Sequence, residues 1–155
     1  MALDKAREYL AEKGYADRIL LTEENTATVA LAAAAFGVGE DEIAKTLSFL
    51  MDDGAVLVVM EGTARTDNRK FKDTFHTKAK MVPFDSVEEL IGHAAGGVCP
   101  FGVNEGVKVY LDESLKKHER VYPAAGNDHS AVDLTLAELE EIVEPEGWVD
   151  IAKEQ

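Results

Sequence analysis

Ala44-Lys45-Thr46-Leu47-Ser48-Phe49-Leu50-Met51 and Ala55-Val56-Leu57-Val58-Val59-Met60, hinged on Asp52-Asp53-Gly54, decide how this chain folds. Two runs of apolar and β-branched residues around an Asp-Gly turn read as a β-hairpin. The second run carries no polar side chain, as in a strand buried within a sheet. The first alternates: period two sets Lys45, Leu47 and Phe49 on one face and Thr46, Ser48 and Leu50 on the other. Lys45 therefore opens an apolar strand, where a cation is more restrained than on a loop.

Outward from the hairpin, single helices and short strands take turns. Upstream, Leu3, Ala6, Tyr9 and Leu10 predict a short amphipathic helix ended by Gly14, and Arg18 to Thr22 a strand. Asn25 or Thr26 is placed to cap a helix through Val29, Leu31 and the alanines to Phe36, stopped by Gly37. Glu40 to Ala44 forms a helical turn into the hairpin. Downstream, Asp67 caps a basic helix to about Phe75, and Lys78 to Val82 reads as a strand. Ser86-Val87-Glu88-Glu89 has the pattern of a capping box opening a helix to about Ala94. A glycine-proline loop follows, then strands at Val107 to Leu111, Arg120 to Ala124 and Ala131 to Thr135. Thr135-Leu136-Ala137-Glu138 is a second capping box, starting a last helix to Val143. Hairpins interrupted by single helices predict a mixed α+β fold, not a doubly wound sheet.

With 155 residues and no repeat, low-complexity tract or Pro/Ser-rich linker, one domain spanning 1–155 is expected. No apolar run approaches membrane-spanning length, and the mixed-charge start is not a signal peptide. A lone Cys99 excludes a disulfide framework, so a cytoplasmic location is expected. A net charge of −14 argues against a general nucleic-acid binder such as a DNA-binding protein. Its distribution is uneven, however. Between Arg65 and Lys80, Arg65, Arg69, Lys70, Lys72, Lys78 and Lys80 stand against only Asp67 and Asp73. That island is either a solvated helix and strand edge or a footprint for a few phosphates.

Two elements could carry chemistry. Lys45 supplies a cation on a rigid strand. Gly96-Gly97-Val98-Cys99-Pro100 supplies a loop whose glycines let the backbone approach a ligand and whose proline fixes the curvature. Together they suit an ester and its developing oxyanion. Cys99 has no base or cation beside it in sequence, so it reads as a small loop residue. His129 and Ser130 are adjacent, point to opposite faces and cannot form a base–nucleophile pair. His76, His93, His118 and His129 show no HxxxH spacing, so no metal is expected. Gly37-Val38-Gly39 runs into Glu40-Asp41-Glu42, whose charge would repel a phosphate.

The order and flanks of these motifs resemble the YbaK/EbsC family, the prolyl-tRNA-synthetase-associated editing domains of the INS superfamily. The likeness is clearest from Ala27 to Val143. Lys45-Thr46-Leu47 matches the family lysine motif after the turn Gly37 to Ile43, and Gly96 to Pro100 matches its GXXXP loop, with Phe101-Gly102 also in keeping. The resemblance implies a largely antiparallel, barrel-like mixed sheet surrounded by helices. It also implies a cofactor-free enzyme that deacylates mischarged tRNA, namely tRNA-Pro or a related tRNA carrying a small amino acid such as Ala, Cys, Ser or Thr. In family terms Lys45 would anchor the terminal adenosine, and the Gly96 to Pro100 amides would hold the aminoacyl carbonyl or ribose. Thr28, Thr46, Phe101, Gly102, Asn127, His129 and Ser130 complete the expected substrate-binding set. Family members differ at the third polar position, for which Asn127, Asp128, His129 and Ser130 are candidates. Arg65, Arg69, Lys70 and Lys72 are the expected phosphate contacts, the tRNA acceptor end the partner, with a synthetase as a second one. A non-catalytic tRNA- or synthetase-binding module and a small-molecule esterase are the alternatives.

Overall fold

A computed structural model of the chain describes residues 2–153; Met1, Glu154 and Gln155 lie outside the described residues, as does the Leu3 side chain. The hairpin forms as expected. Strand β2 (Ile43–Met51) pairs antiparallel with β3 (Gly54–Glu61), following a short β1 (Ile19–Leu21). These two strands are the centre of a curled six-stranded mixed sheet. Next to β2 lies β6 (Arg120–Pro123), parallel to it, and then β8 (Leu134–Thr135). On the other side β3 is followed by β5 (Lys108–Asp112) and β9 (Gly147–Val149), both pairings parallel. Two small antiparallel pairs complete it: β1 with β7 (Ser130–Val132), and β4 (Arg65–Thr66) with β10 (Ala152–Lys153). Four of the seven strand pairings are antiparallel.

The apolar run of β3 is explained by burial on both faces. Ala55, Leu57 and Val59 join a core with helices α1 (Ala2–Glu12), α4 (Val87–Ile91) and α5 (Leu136–Val143), through Leu10, Ile91, Leu139 and Ile142. Val56, Val58 and Met60 face a second core under helix α3 (Asn68–Phe75). There the rings of Phe49 and Phe71 lie 4.6 Å apart, Phe71 and Phe75 4.8 Å, and Phe75 meets Tyr110 edge-on at 5.2 Å.

Several local expectations need correction. Helix α2 (Val29–Phe36) is capped by Thr28, whose hydroxyl accepts from Leu31 N–H, not by Asn25 or Thr26. Asn25 instead accepts from Ala27 N–H at 2.7 Å, a local turn that competes with helix formation. Ser86 makes no capping bond, and α4 ends at Gly92, short of Ala94, because Gly92 takes φ +104°. The stretch from Lys78 to Val82 contributes one bridge, Met81 to Phe49, instead of a strand. The tail strands β9 and β10 escaped the sequence reading. They are two or three residues long and acquire their conformation from β5 and β4. Asp67 and the Thr135–Glu138 box do cap α3 and α5.

Candidate active site

A cavity of about 450 Å³ opens where the sheet is interrupted beside β2. Its walls come from the start of α2, the segment Ile43 to Ser48 of β2, the irregular chain around Met81 and Phe84, the bend before Val98, and the ends of β6 and β7. Much of the lining is small: Ala32, Ala44, Ala95, Ala124 and Ala131 leave room that longer side chains would fill. Among the described residues that line it, Lys45 is the only one carrying charge at neutral pH, and none is His, Cys, Asp or Glu.

Lys45 is half-buried, and its Nζ donates to the carbonyl of Ala64. Burial pushes its pKa below the ordinary lysine value, because the ammonium loses hydration that one carbonyl does not replace. An ammonium has three donors, so two remain for a ligand.

Gly96 and Val98 line the cavity; Gly97, between them, does not. Gly97 donates its N–H to Ala94 C=O at 3.0 Å, which leaves the amides of Gly96 and Val98 without an acceptor among the described residues. Gly97 lies against the backbone of Gly126 and Asn127, so close that a Cβ would stand 2.5 Å from Asn127 Cα. Asn127 in turn accepts from Ser130 Oγ at 2.8 Å and from His129 N–H at 3.0 Å. Thus the turn at residues 126–130 supports the glycine loop from behind.

The other residues singled out in the sequence divide accordingly. Thr28, Thr46 and Ser130 line the cavity with Lys45, Gly96 and Val98. Cys99, Pro100, Phe101, Gly102, Asn127 and His129 do not. Phe101 is fully buried, and Gly102 (φ +66°) packs onto Lys5 of α1. His129 is exposed and bonds Glu24 C=O. Among the lining residues that escaped the sequence reading as site residues are Thr26, Ser48, Met81, Phe84 and Tyr122. Thr26 resembled a helix cap and Met81 a strand residue, and the large exposed apolar surfaces of Met81 and Phe84 give no linear signal.

Folding does bring a histidine to Cys99: His93 Nε2 lies 3.5 Å from its Sγ. The pair is nevertheless inert. His93 Nε2 is 2.6 Å from Phe101 C=O and must carry the proton to donate to it, so it cannot accept one from the thiol. Both residues are fully buried, and burial pushes the Cys99 pKa up to about 12. Cys99 is therefore expected to resist iodoacetamide in the native protein at neutral pH, and Cys99→Ala to keep most activity. Rapid native-state alkylation, followed by mass spectrometry, would contradict this.

Of the basic island, Lys70 is already committed: its Nζ bonds Asp150 at 3.0 Å and Ala152 C=O at 2.9 Å. Arg65, Arg69 and Lys72 are exposed, and Arg65 directly follows Ala64, whose carbonyl holds Lys45. Elsewhere, folding gathers Asp41, Glu61 and His118 so that their donor atoms lie within 4.8 Å of one another. Glu61 is buried there. Desolvation favours its neutral form, but bonds from Lys117 at 2.9 Å and His118 at 2.5 Å outweigh that and hold its pKa below the usual carboxylate value. With both oxygens taken, this is an ion network.

Comparison with known proteins gives a consistent picture. Residues 23–142 match the aminoacyl-tRNA editing domain family. The uncharacterized protein YwhH of Bacillus subtilis (strain 168) is 40% identical over 155 residues, 99% of each chain. The proline–tRNA ligase of the same organism is 28% identical over 93 residues, covering 59% of this chain but only 16% of the ligase. Among solved structures, a candidate trans-editing enzyme for prolyl tRNA synthetase superposes with a TM-score of 0.88 at 27% identity, covering 98% of this chain and 97% of that one. The hypothetical protein APE2540 gives 0.85 at 29% identity, covering 96% and 99%.

Proposed function

The chain belongs to the aminoacyl-tRNA editing domain family, and from that premise we propose that it acts in trans as a deacylase, hydrolysing the ester of a small amino acid mischarged onto tRNA, with tRNA-Pro the first candidate. One observation carries the reading: the cavity lining offers one cation and two free backbone amides, and no His, Cys, Asp or Glu. Its serine and threonine hydroxyls have no His or carboxylate in the lining to activate them as nucleophiles. Such a site can bind an ester that is already activated, stabilise the oxyanion and admit a positioned water. Aminoacyl-tRNA esters are activated in this sense. In this mechanism the Gly96 and Val98 amides receive the carbonyl oxygen, and Lys45 holds the terminal ribose or polarises the reacting end. The alanine-lined walls favour a small side chain. Discrimination by size in such a pocket amounts to about 1–3 kcal/mol per methylene. Arg65, Arg69 and Lys72 serve as phosphate contacts, and no described helix is long and apolar enough to cross a membrane.

Purified protein should hydrolyse at least one member of a panel of mischarged tRNAs, with alanine, serine, threonine and cysteine on tRNA-Pro tested first. Reversing Arg69 and Lys72 to Glu should weaken tRNA binding and flatten its salt dependence, since each phosphate contributes a log–log slope of about −0.7 to −0.9. Turnover of a minimal aminoacyl-adenosine should be spared. Tight tRNA binding without hydrolysis of any member would instead favour a non-catalytic binding module.

A further inference from the structure

Along one edge, β2 is paired to β3 from Ala44↔Glu61 to Met51↔Gly54. Along its other edge the ladder is broken. Parallel pairing with β6 ends at Ala44↔Pro123. Pairing resumes at Ser48, whose C=O accepts from Val82 N–H at 3.0 Å, and continues with Leu50 N–H donating to Lys80 C=O at 2.7 Å. In a strand paired antiparallel on one side, alternate residues direct both N–H and C=O to the opposite edge. The Ser48 C=O and the Leu50 N–H do so here, and Thr46 shares their parity. Thr46 lies in the gap, so both its backbone groups lack a strand partner. Ala124 and Val82, which flank the gap, line the cavity, as does Thr46.

Buried backbone polar groups are almost always paired, because an unsatisfied one keeps the full cost of its lost hydration. This gap in a central strand, running from Thr46 to the Ser48 N–H and opening on a cavity, is therefore a place where a ligand completes the ladder. The surroundings agree. The Thr26 and Thr46 hydroxyl oxygens, on two residues lining this cavity, are buried without a hydrogen-bond partner.

Two residues forming a hydrogen-bonded pair of an antiparallel ladder exchange both bonds, each giving its N–H to the other's C=O. An α-aminoacyl group carries that same donor and acceptor on either side of one Cα. We propose that Thr46 recognises the aminoacyl group through its backbone: its C=O accepts from the α-ammonium and its N–H joins the Gly96 and Val98 amides in donating to the acyl oxygen, so the amino acid occupies the gap as a short strand. The inference rests on the deacylase reading and assigns the α-amine of its substrate an acceptor. It also explains how a pocket without a carboxylate accommodates an ammonium group.

The test uses binding, so that it does not depend on turnover. The 15N-labelled full chain is titrated with 3′-deoxy-3′-alanylamino-adenosine and, separately, with its propionylamino counterpart, which lacks only the α-amine. The alanyl compound should shift the Thr46 amide saturably, and the propionyl compound should bind at least about tenfold more weakly, as expected when a buried acceptor is left unpaired. Equal affinities would overturn the bridge, as would an unmoved Thr46 amide with shifts at Gly96 and Val98. Either result would leave the deacylase reading intact. No response to either compound, together with no hydrolysis in the tRNA panel, would remove both.

Discussion

Lys45→Ala is expected to lower deacylation by about 10²–10³-fold, the effect of removing one electrostatic stabiliser from a water-poor site. It should leave the melting temperature within about 4 °C of the parent. Lys45 contributes one hydrogen bond, to Ala64 C=O, worth about 0.5–1.5 kcal/mol net, and a domain of this size moves about 2–4 °C per kcal/mol. The lost bond is partly offset because a half-buried ammonium no longer has to be desolvated. Lys45→Met, which keeps the stem, should be as inactive as alanine, because the charge acts and not the packing. Since burial pushes the pKa down, the cation disappears as pH rises at a lower pH than for a free lysine. The activity that depends on it must fall on the alkaline side, below the ordinary lysine range, and this limb must vanish in Lys45→Met. Single-turnover rates on the best panel substrate, alongside scanning calorimetry, check both points. Parent-like rates in either variant would remove Lys45 from the reaction.

Gly97→Val should abolish activity by a different route. A Cβ at this position meets Asn127 Cα at 2.5 Å, Asn127 N at 2.6 Å and Gly126 C at 2.7 Å. All three are backbone atoms and cannot swing aside, so either the bend or the turn at 126–130 must move. Overpacking of this kind costs about 1–3 kcal/mol or more, or about 2–12 °C in melting temperature. The loss of activity should exceed what stability explains, because the bend carries the Gly96 and Val98 amides and a displacement of about 1 Å costs about 10²-fold. Gly147→Ala is the control: nothing lies within 4 Å of its Cβ position, and it should be silent in both measurements. An active, stable Gly97→Val would show that the bend takes no part in catalysis.

The hairpin, the Asp67 and Thr135 caps and the burial of β3 were legible because local pattern and tertiary packing agree at those places. The capping box at Ser86 failed for the opposite reason. Its sequence pattern is local, but the chain enters Ser86 through a 3-10 turn at Phe84–Ser86, and its side chain makes no capping bond. The phosphate island was legible as charge, yet the engagement of Lys70 with Asp150 joins residues 80 positions apart and no composition count reveals it. The same holds for His93 and Cys99. Six residues of separation said nothing of a 3.5 Å approach, and still less that the hydrogen bond to Phe101 would leave the pair unreactive.

By itself the sequence determined the α+β class, the cation at the start of β2 and the glycine bend before Pro100, because strand period, turn chemistry and glycine's freedom act over a few residues. Only the tertiary structure decided which face of the bend meets the cavity, that Cys99 is sealed in the core, and that β2 has a gap in its ladder at Thr46. Those outcomes depend on where β6 ends and where the chain around Met81 returns. They are set by packing between segments more than thirty residues apart, which no local pattern encodes.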